Sequence, residues 1–324
     1  MIGERCAIGV DLGGQSVKLA VVDESGVIHL RRQAAIDPTQ SADAIALLMI
    51  EQINQLLETA RSKGFSPCAA GVVMPGYMDV GRTKLLFAAN LPTLNGTDFL
   101  STVKAGVDLP VAFDADCNGA AFGEYYFGAG KNVERLIVVT VGTGIGAAVM
   151  IQGRILRLWN HISGSLGHVI IDAKGARCSC GGRGCVETQA SGPAIEKLAT
   201  ELAAAEPESR LGMLYQEHGR LTGREIRIAL EEKDPPAVRV VRECGWWLGA
   251  GVASWSVIYA PEKVLIGGGI IGLGEPLLEA VREGLRDVGQ PHTTRNVKIE
   301  AAALGPDAGV VGAAAMVLPE KPHE

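Results

Sequence analysis

Cys6–Val22, CAIGVDLGGQSVKLAVV, and Leu136–Ile151, LIVVTVGTGIGAAVMI, share one layout. Each is an apolar run, a glycine turn and a second apolar run, the pattern of a strand, a tight turn and a strand. The first turn is Asp11-Leu12-Gly13-Gly14 and the second is Gly142-Thr143-Gly144-Ile145-Gly146. Glycines let backbone N–H groups approach phosphate oxygens closely, and the Asp11 carboxylate is placed to hold a hydrated Mg²⁺. Either piece alone also reads as an ordinary hairpin, in the first case with an acidic turn. The pair carries more. Two such turns far apart in one chain imply an internal duplication that clamps one polyphosphate between two lobes.

Outward from these turns the chain alternates strands and helices. Ser41–Arg61 has helical spacing (Ile45, Leu48, Met49, Ile53, Leu56), with Ser41 as its N-cap. Ala69–Met74 reads as a buried strand running into Pro75-Gly76, with Tyr77–Asp79 and Asn90 on the loops that follow. Leu109–Phe113 is a further strand, delivering Asp114-Ala115-Asp116-Cys117-Asn118 to its end before a helix from about Gly119 to Phe127. The carboxyl end of a strand before a helix is where open α/β sheets place ligands, although one of the two carboxylates is equally able to cap that helix. Glu206–Gly219 is polar enough for a surface excursion. Lys263–Ile266 is a strand ending in Gly267-Gly268-Gly269, a turn suited either to a flat ligand such as adenine or to a close helix–strand crossing. A helix over Glu275–Val288, a strand over Val297–Ala301 and a small-residue helix over Ala308–Val317 complete the chain.

Between the second turn and the helix-rich region lies Gly164–Glu187, GSLGHVIIDAKGARCSCGGRGCVE. It gathers His168, Cys178, Cys180 and Cys185, four ligands of the kind Zn²⁺ takes in a closed, structural tetrahedral site. Clustering this tight in a chain without an export signal favours a metal over disulfides. A closed ligand set makes the metal a staple for the loop rather than a catalyst.

Composition excludes other classes. Apolar residues make up 47% and charged residues 20% of 324, a globular balance with room for two domains. A net charge of −6, with no long Lys/Arg run, argues against nucleic acid. Glu4 and Arg5 stand where a signal peptide needs apolar residues, so a cytoplasmic protein is expected, with no membrane partner. Gly245–Ala260 is uncharged but shorter than the roughly 20 residues that cross a bilayer, and reads as a buried helix.

Gly-His followed by Cys-x-Cys-Gly-x-x-Gly-Cys-x-Glu resembles the signature of the ROK family of repressors, open reading frames and sugar kinases, here of the glucokinase-like kind. The resemblance covers essentially the whole chain. It implies an α/β, two-lobed actin-like, Hsp70-like or sugar-kinase ATPase (ribonuclease H-like) fold with a structural zinc loop. The smaller lobe is expected over residues 1–114 and 309–324, and the larger, zinc-bearing lobe over 115–308. The implied activity is ATP-dependent phosphorylation of a hexose hydroxyl with Mg²⁺, Asp116 serving as general base. Asp11, Gly13, Gly14, Gly142, Thr143, Gly144 and Gly146 match the family's phosphate loops, and Gly267, Gly268 and Gly269 match its adenosine turn. Gly76, Asn90, Asp116, Ser165, His168 and Glu187 fall at the sugar. His168, Cys178, Cys180 and Cys185 hold zinc. A homodimer is also implied.

Two positions depart from the family pattern. Ala115 stands where an asparagine usually precedes the base, and Ser165 where a glutamate usually precedes Gly-His. Losing two buried hydrogen-bond partners costs on the order of 1–3 kcal/mol each if the substrate is unchanged. The departures therefore point either to poor affinity for common hexoses or to another hydroxyl pattern, read by Ser165 and Asp114. A non-catalytic sugar sensor is the alternative. A DNA-binding regulator is not expected, since the first turn begins at Asp11.

Overall fold

The computed structural model describes residues 5–79, 81–157 and 165–318. The chain forms two compact units, one from Met1–Asn132, Gly153–Ser163 and Ala303–Glu324, the other from Val133–Gln152 and Gly164–Ala302.

In the first unit, β1 (Arg5–Leu12) and β2 (Ser16–Asp23) form the antiparallel hairpin expected around the first glycine turn, and β3 (Ile28–Ala35) pairs with β2. Helix α1 (Ala42–Ser62) follows, its N-cap Ser41 accepting from the Ala44 N–H at 3.2 Å. Strand β4 (Ser66–Met74) lies parallel to β1. A small hairpin of β5 (Tyr77–Met78) and β6 (Leu85–Phe87) precedes α2 (Phe99–Gly106), β7 (Val111–Ala115) and α3 (Asp116–Tyr126). The sheet order is β3-β2-β1-β4-β7.

Alternation along β1 sorts side chains by size. Cys6, Ile8, Val10 and Leu12 enter a large core with Ile45, Met49 and Ile53 of α1 and Phe99, Leu100 and Val103 of α2. On the opposite face Ala7 meets Val310, Val311 and Ala314 of the closing helix, Ala308–Ala315. That face is built for close approach. A Cβ at Gly9 would lie 1.8 Å from the Val310 carbonyl oxygen, and one at Gly71 would lie 1.8 Å from that of Ala313.

Two expectations shift here. Helix α3 begins at Asp116 rather than near Gly119, because Ala115 is still extended (φ −69°, ψ 148°) and the chain turns helical at the next residue. The unit also runs past the expected boundary at 114, to Asn132, since α3 packs on the closing helix.

The second unit repeats the plan. β8 (Arg135–Val141) and β9 (Ile145–Ile151) form a hairpin around the second glycine turn, and the chain then passes through the two-residue β10 (Arg154–Ile155). Helices α4 (Glu187–Ala190), α5 (Gly192–Ala205), α6 (Arg210–His218), α7 (Gly223–Glu231) and α8 (Pro235–Tyr259) lead to β11 (Lys263–Gly268). After it come α9 (Glu275–Val288), α10 (Pro291–Thr294) and β12 (Lys298–Ala301). The long strands lie in the order β9-β8-β11-β12, with β8, β11 and β12 parallel. This is the order of β2-β1-β4-β7, the duplication expected from the paired turns.

Glu206–Gly219 lies largely at the surface, within the helix-rich region. It holds α6, whose Leu211 and Leu214 are buried while its other face is polar, so a mostly polar stretch still buries one helical stripe. Gly245–Ala260 lies within α8 and its C-cap, where Leu248, Val252 and Trp255 are fully buried. No described helix is long and apolar enough to cross a membrane.

The closeness of the closing helix gives a test. Gly71→Ala would force a methyl against the Ala313 carbonyl, an overpacking with no flexible side chain to yield. We expect a loss of about 3 kcal/mol, read as a lower urea midpoint at unchanged m-value.

Candidate active site

In the first unit the glycine turn closes with the Gly13 N–H donating to the Ser16 carbonyl at 2.9 Å. Asp11 sits at its head on β1. Its pKa is raised, first by burial, with Lys18 opposing that rise. A Cβ at Gly309 would fall 2.4 Å from Asp11 Oδ2, so the closing helix starts directly against this carboxylate. The turn also reaches Asn90, since a Cβ at Gly14 would lie 3.2 Å from Asn90 Cβ. Gly76 is held at φ +113° beneath the β5–β6 hairpin, where any side chain would strike the Phe87 carbonyl.

The two carboxylates of β7 and α3 have different surroundings. Asp114 is buried and fully engaged. Its Oδ1 accepts from Asn118 Nδ2 at 2.7 Å, from the Ala115 N–H at 2.9 Å and from Arg157 at 3.3 Å. Its Oδ2 accepts from Arg82 at 3.3 Å and from the second Arg157 nitrogen. A carboxylate so paired has no lone pair left for a sugar hydroxyl, which corrects the expectation that Asp114 reads the substrate. Asp116 has no cationic partner among the described residues. Its carboxyl pKa is pushed up to about 6, mostly by lost hydration and further by the charge of Asp11, against the lowering effect of the Cys117 N–H at 2.7 Å. Water still reaches the residue's surface, and its screening makes about 6 the upper end.

Sequence reasoning missed Arg82 and Arg157. Neither lies in a motif, and only tertiary folding brings the β5–β6 turn and the segment after β10 to one buried carboxylate. A backbone signal does exist at Arg82, which is held at φ +52°, a conformation uncommon for a long side chain.

In the second unit the Gly142 N–H bonds to the Gly144 carbonyl at 2.9 Å, and Gly142 and Thr143 are exposed at the tip. From behind, the Gly192 N–H donates to the Gly142 carbonyl at 2.8 Å and the Ile145 N–H donates to Glu187 Oε2 at 2.9 Å. Gly146 continues into β9. At the end of β11, Gly268 takes φ +84°, where a Cβ would meet the Val141 carbonyl at 2.3 Å. A Cβ at Gly269 would meet nothing within 4 Å, which leaves that backbone open to a flat ligand, whereas Gly267 is buried against Ala302.

The sulfur cluster also lies in this unit. His168, Cys178, Cys180 and Cys185 each present a ligand atom, all within 4.8 Å of one another. Cys178 Sγ is 3.6 Å from His168 Nδ1, and Cys180 Sγ is 3.7 Å from Cys185 Sγ. With Zn–S bonds of ~2.3 Å, a tetrahedron has edges of ~3.8 Å, so the donors fit zinc. The loop is closed by backbone bonds from the Cys178 N–H to the Gly182 carbonyl at 3.0 Å and from the Val186 N–H to the Val169 carbonyl at 3.0 Å. Ser165 begins the 3₁₀ turn that carries His168, and its side chain lies outside the described residues.

The family model described as the ROK family matches residues 7–320. The chain is 31% identical over 317 residues to a glucokinase of Halalkalibacterium halodurans, covering 96% of this chain and 94% of the relative. A crystal structure of a ROK family glucokinase from Streptomyces griseus in complex with glucose and AMPPNP matches with a TM-score of 0.80 at 34% identity, over 96% of this chain and 98% of that one. A xylose repressor of Caldicellulosiruptor bescii is 29% identical over 311 residues, which are 96% of this chain and 77% of the repressor. Two glycine turns on duplicated sheets, a Cys₃His loop and matches of this length have one reading: the chain belongs to the ROK family.

Proposed function

We propose that the chain is a sugar kinase that transfers the γ-phosphoryl group of ATP to a hexose hydroxyl, with Asp116 as general base. The observation that carries this reading is the contrast between two neighbouring carboxylates. Asp114 is neutralised by two guanidiniums, while Asp116 has no cation beside it among the described residues and carries a pKa raised by lost hydration and by the charge of Asp11. A base with those properties accepts a hydroxyl proton more readily than an ion-paired carboxylate does. Phosphoryl transfer needs little more than positioning and charge neutralisation, which the open backbone of Gly142 and Thr143 and the Asp11 carboxylate are suited to supply. Mg²⁺, when bound, neutralises phosphate charge, and Asp11 is the residue proposed to hold it through water. Glucokinases in bacteria and a glucokinase bound to glucose and AMPPNP are among the chain's relatives, which supports ATP as donor and a hexose as acceptor.

Zinc held by His168, Cys178, Cys180 and Cys185 is structural in this reading, and Gly76, Asn90, Ser165, His168 and Glu187 are proposed at the sugar. We place the enzyme in the cytoplasm, where ATP is available and cysteines stay reduced. We also propose a homodimer, as family membership implies. Sedimentation at micromolar concentration yielding only monomer would reject it.

The kinase reading is tested by ATP consumption with Mg²⁺ across hexoses, amino sugars and N-acetylated sugars. Sugar-dependent turnover is expected. Asp116→Asn should lower kcat by about 10²–10⁴-fold while nucleotide affinity changes little. Sugar and nucleotide binding without turnover on any acceptor would replace the kinase with the sensor that Ala115 leaves conceivable. Because the base acts ionised, kcat/KM should rise with pH through an apparent pKa above about 4 and no higher than about 6, then level off. An acid limb centred near 7 would assign the base to another group.

A further inference from the structure

Glu187 occupies a position that its proposed contact with sugar does not explain. It is the first residue of α4 and lies two residues past Cys185. Its two carboxylate oxygens face two different structures of the second unit. Oε2 accepts the Ile145 N–H of the glycine turn at 2.9 Å, and a Cβ at Gly144 would sit 2.6 Å from that oxygen. Oε1 is 3.3 Å from Ser179 Oγ and 3.7 Å from Cys178 Sγ, both in the metal loop. A metal-bound thiolate has no proton to give, so on a loaded loop Ser179 Oγ is the donor that holds Oε1.

We propose that Glu187 is a positioning residue that ties the metal loop to the turn Gly142–Gly146, so that metal occupancy sets how firmly the turn holds a phosphate. A turn that offers its outer backbone to a ligand has to be fixed from behind. Two struts fix this one: the Gly192 N–H on the Gly142 carbonyl at 2.8 Å, and Glu187 on the Ile145 N–H. The Gly192 strut is backbone to backbone, from α5's first residue to the turn. The Glu187 strut rests on a side chain whose other oxygen is held by the metal loop. Its placement therefore depends on that loop keeping its shape, and the loop's shape is what four metal ligands define. Gly144 is then required because the carboxylate lies directly against it. The coupling is local to the second unit. Its consequence for nucleotide affinity rests on the proposed role of the turn.

The experiment compares zinc-loaded and chelator-stripped protein as wild type, Glu187→Ala and Glu187→Gln. It reads amide hydrogen exchange at Ile145 and the affinity for Mg–AMPPNP by calorimetry. In the wild type, stripping is expected to speed Ile145 exchange and weaken AMPPNP binding about tenfold, a coupling of ordinary size. Glu187→Ala should show both effects while loaded, and stripping should then add little. Glu187→Gln keeps one acceptor oxygen and should lie between. Equal losses on stripping wild type and Glu187→Ala, or an Ile145 exchange rate indifferent to metal, would overturn the coupling. Faster Ile145 exchange with unchanged AMPPNP affinity would overturn the phosphate role of the turn and leave the mechanical link standing. If circular dichroism shows that stripping unfolds the protein, Ser179→Ala in the loaded form takes its place. It should speed Ile145 exchange, and failure to do so would overturn the proposal.

Discussion

A backbone turn that is to hold phosphate must keep its N–H groups free on one side, and so it depends on contacts from the other. Both units meet that constraint behind the first hairpin of their sheet. In the first unit the closing helix lies on β1 and β4 at backbone distance, with Gly309 against Asp11. In the second, Gly192 and Glu187 hold the turn through its carbonyl and amide. The two solutions differ in kind. One is packing of small residues, in which a single added methyl collides with a carbonyl. The other is hydrogen bonding, in which a carboxylate reaches from an adjacent loop. A turn fixed by packing is as rigid as its core, while one fixed by a side chain is as rigid as whatever holds that side chain.

Electrostatics divides the acidic groups in the same economical way. Asp114 and Asp116 are two residues apart and of one residue type, but Asp114 is buried while Asp116 is exposed. Asp114 is matched by Arg82, Arg157 and the amide of Asn118, which makes it a tie between three segments of the first unit. Removing Arg157 would leave the buried carboxylate with the more exposed Arg82 as its one remaining guanidinium among the described residues. Among the described residues Asp116 has no such partner, and the charge of Asp11 acts on it instead. The same pair of residues thus supplies a structural anchor and a candidate base, and the positions of two arginines decide which is which.

Much of this was legible in the chain. Strand, glycine turn and strand repeated in Cys6–Val22 and Leu136–Ile151 because a glycine hairpin has a local signature, and the matching sheet orders follow from that repeat. Ser41 as a cap and the length of α9 were equally local. So was the metal loop, whose ligands lie close in sequence as well as in space. The misplaced start of α3 shows where local patterns give out. Asp116 looks like the end of a strand until Ala115 is seen to be the last extended residue. In α6 two buried leucines are enough for a helix in a polar stretch.

The sequence alone showed the two glycine hairpins and the four clustered candidate metal ligands, because each is written in residues near one another along the chain, while the resemblance to the ROK family implied the fold and Asp116 as base. Only the tertiary structure decided that Asp114 is spent on arginines and that Glu187 bridges the metal loop and the glycine turn. Arg82 and Arg157 are 75 residues apart, and Glu187 meets Ile145 from 42 residues away. No periodicity or motif records such meetings. They exist because the folded backbone carries separate segments to one place, where a buried carboxylate must find partners wherever the fold supplies them.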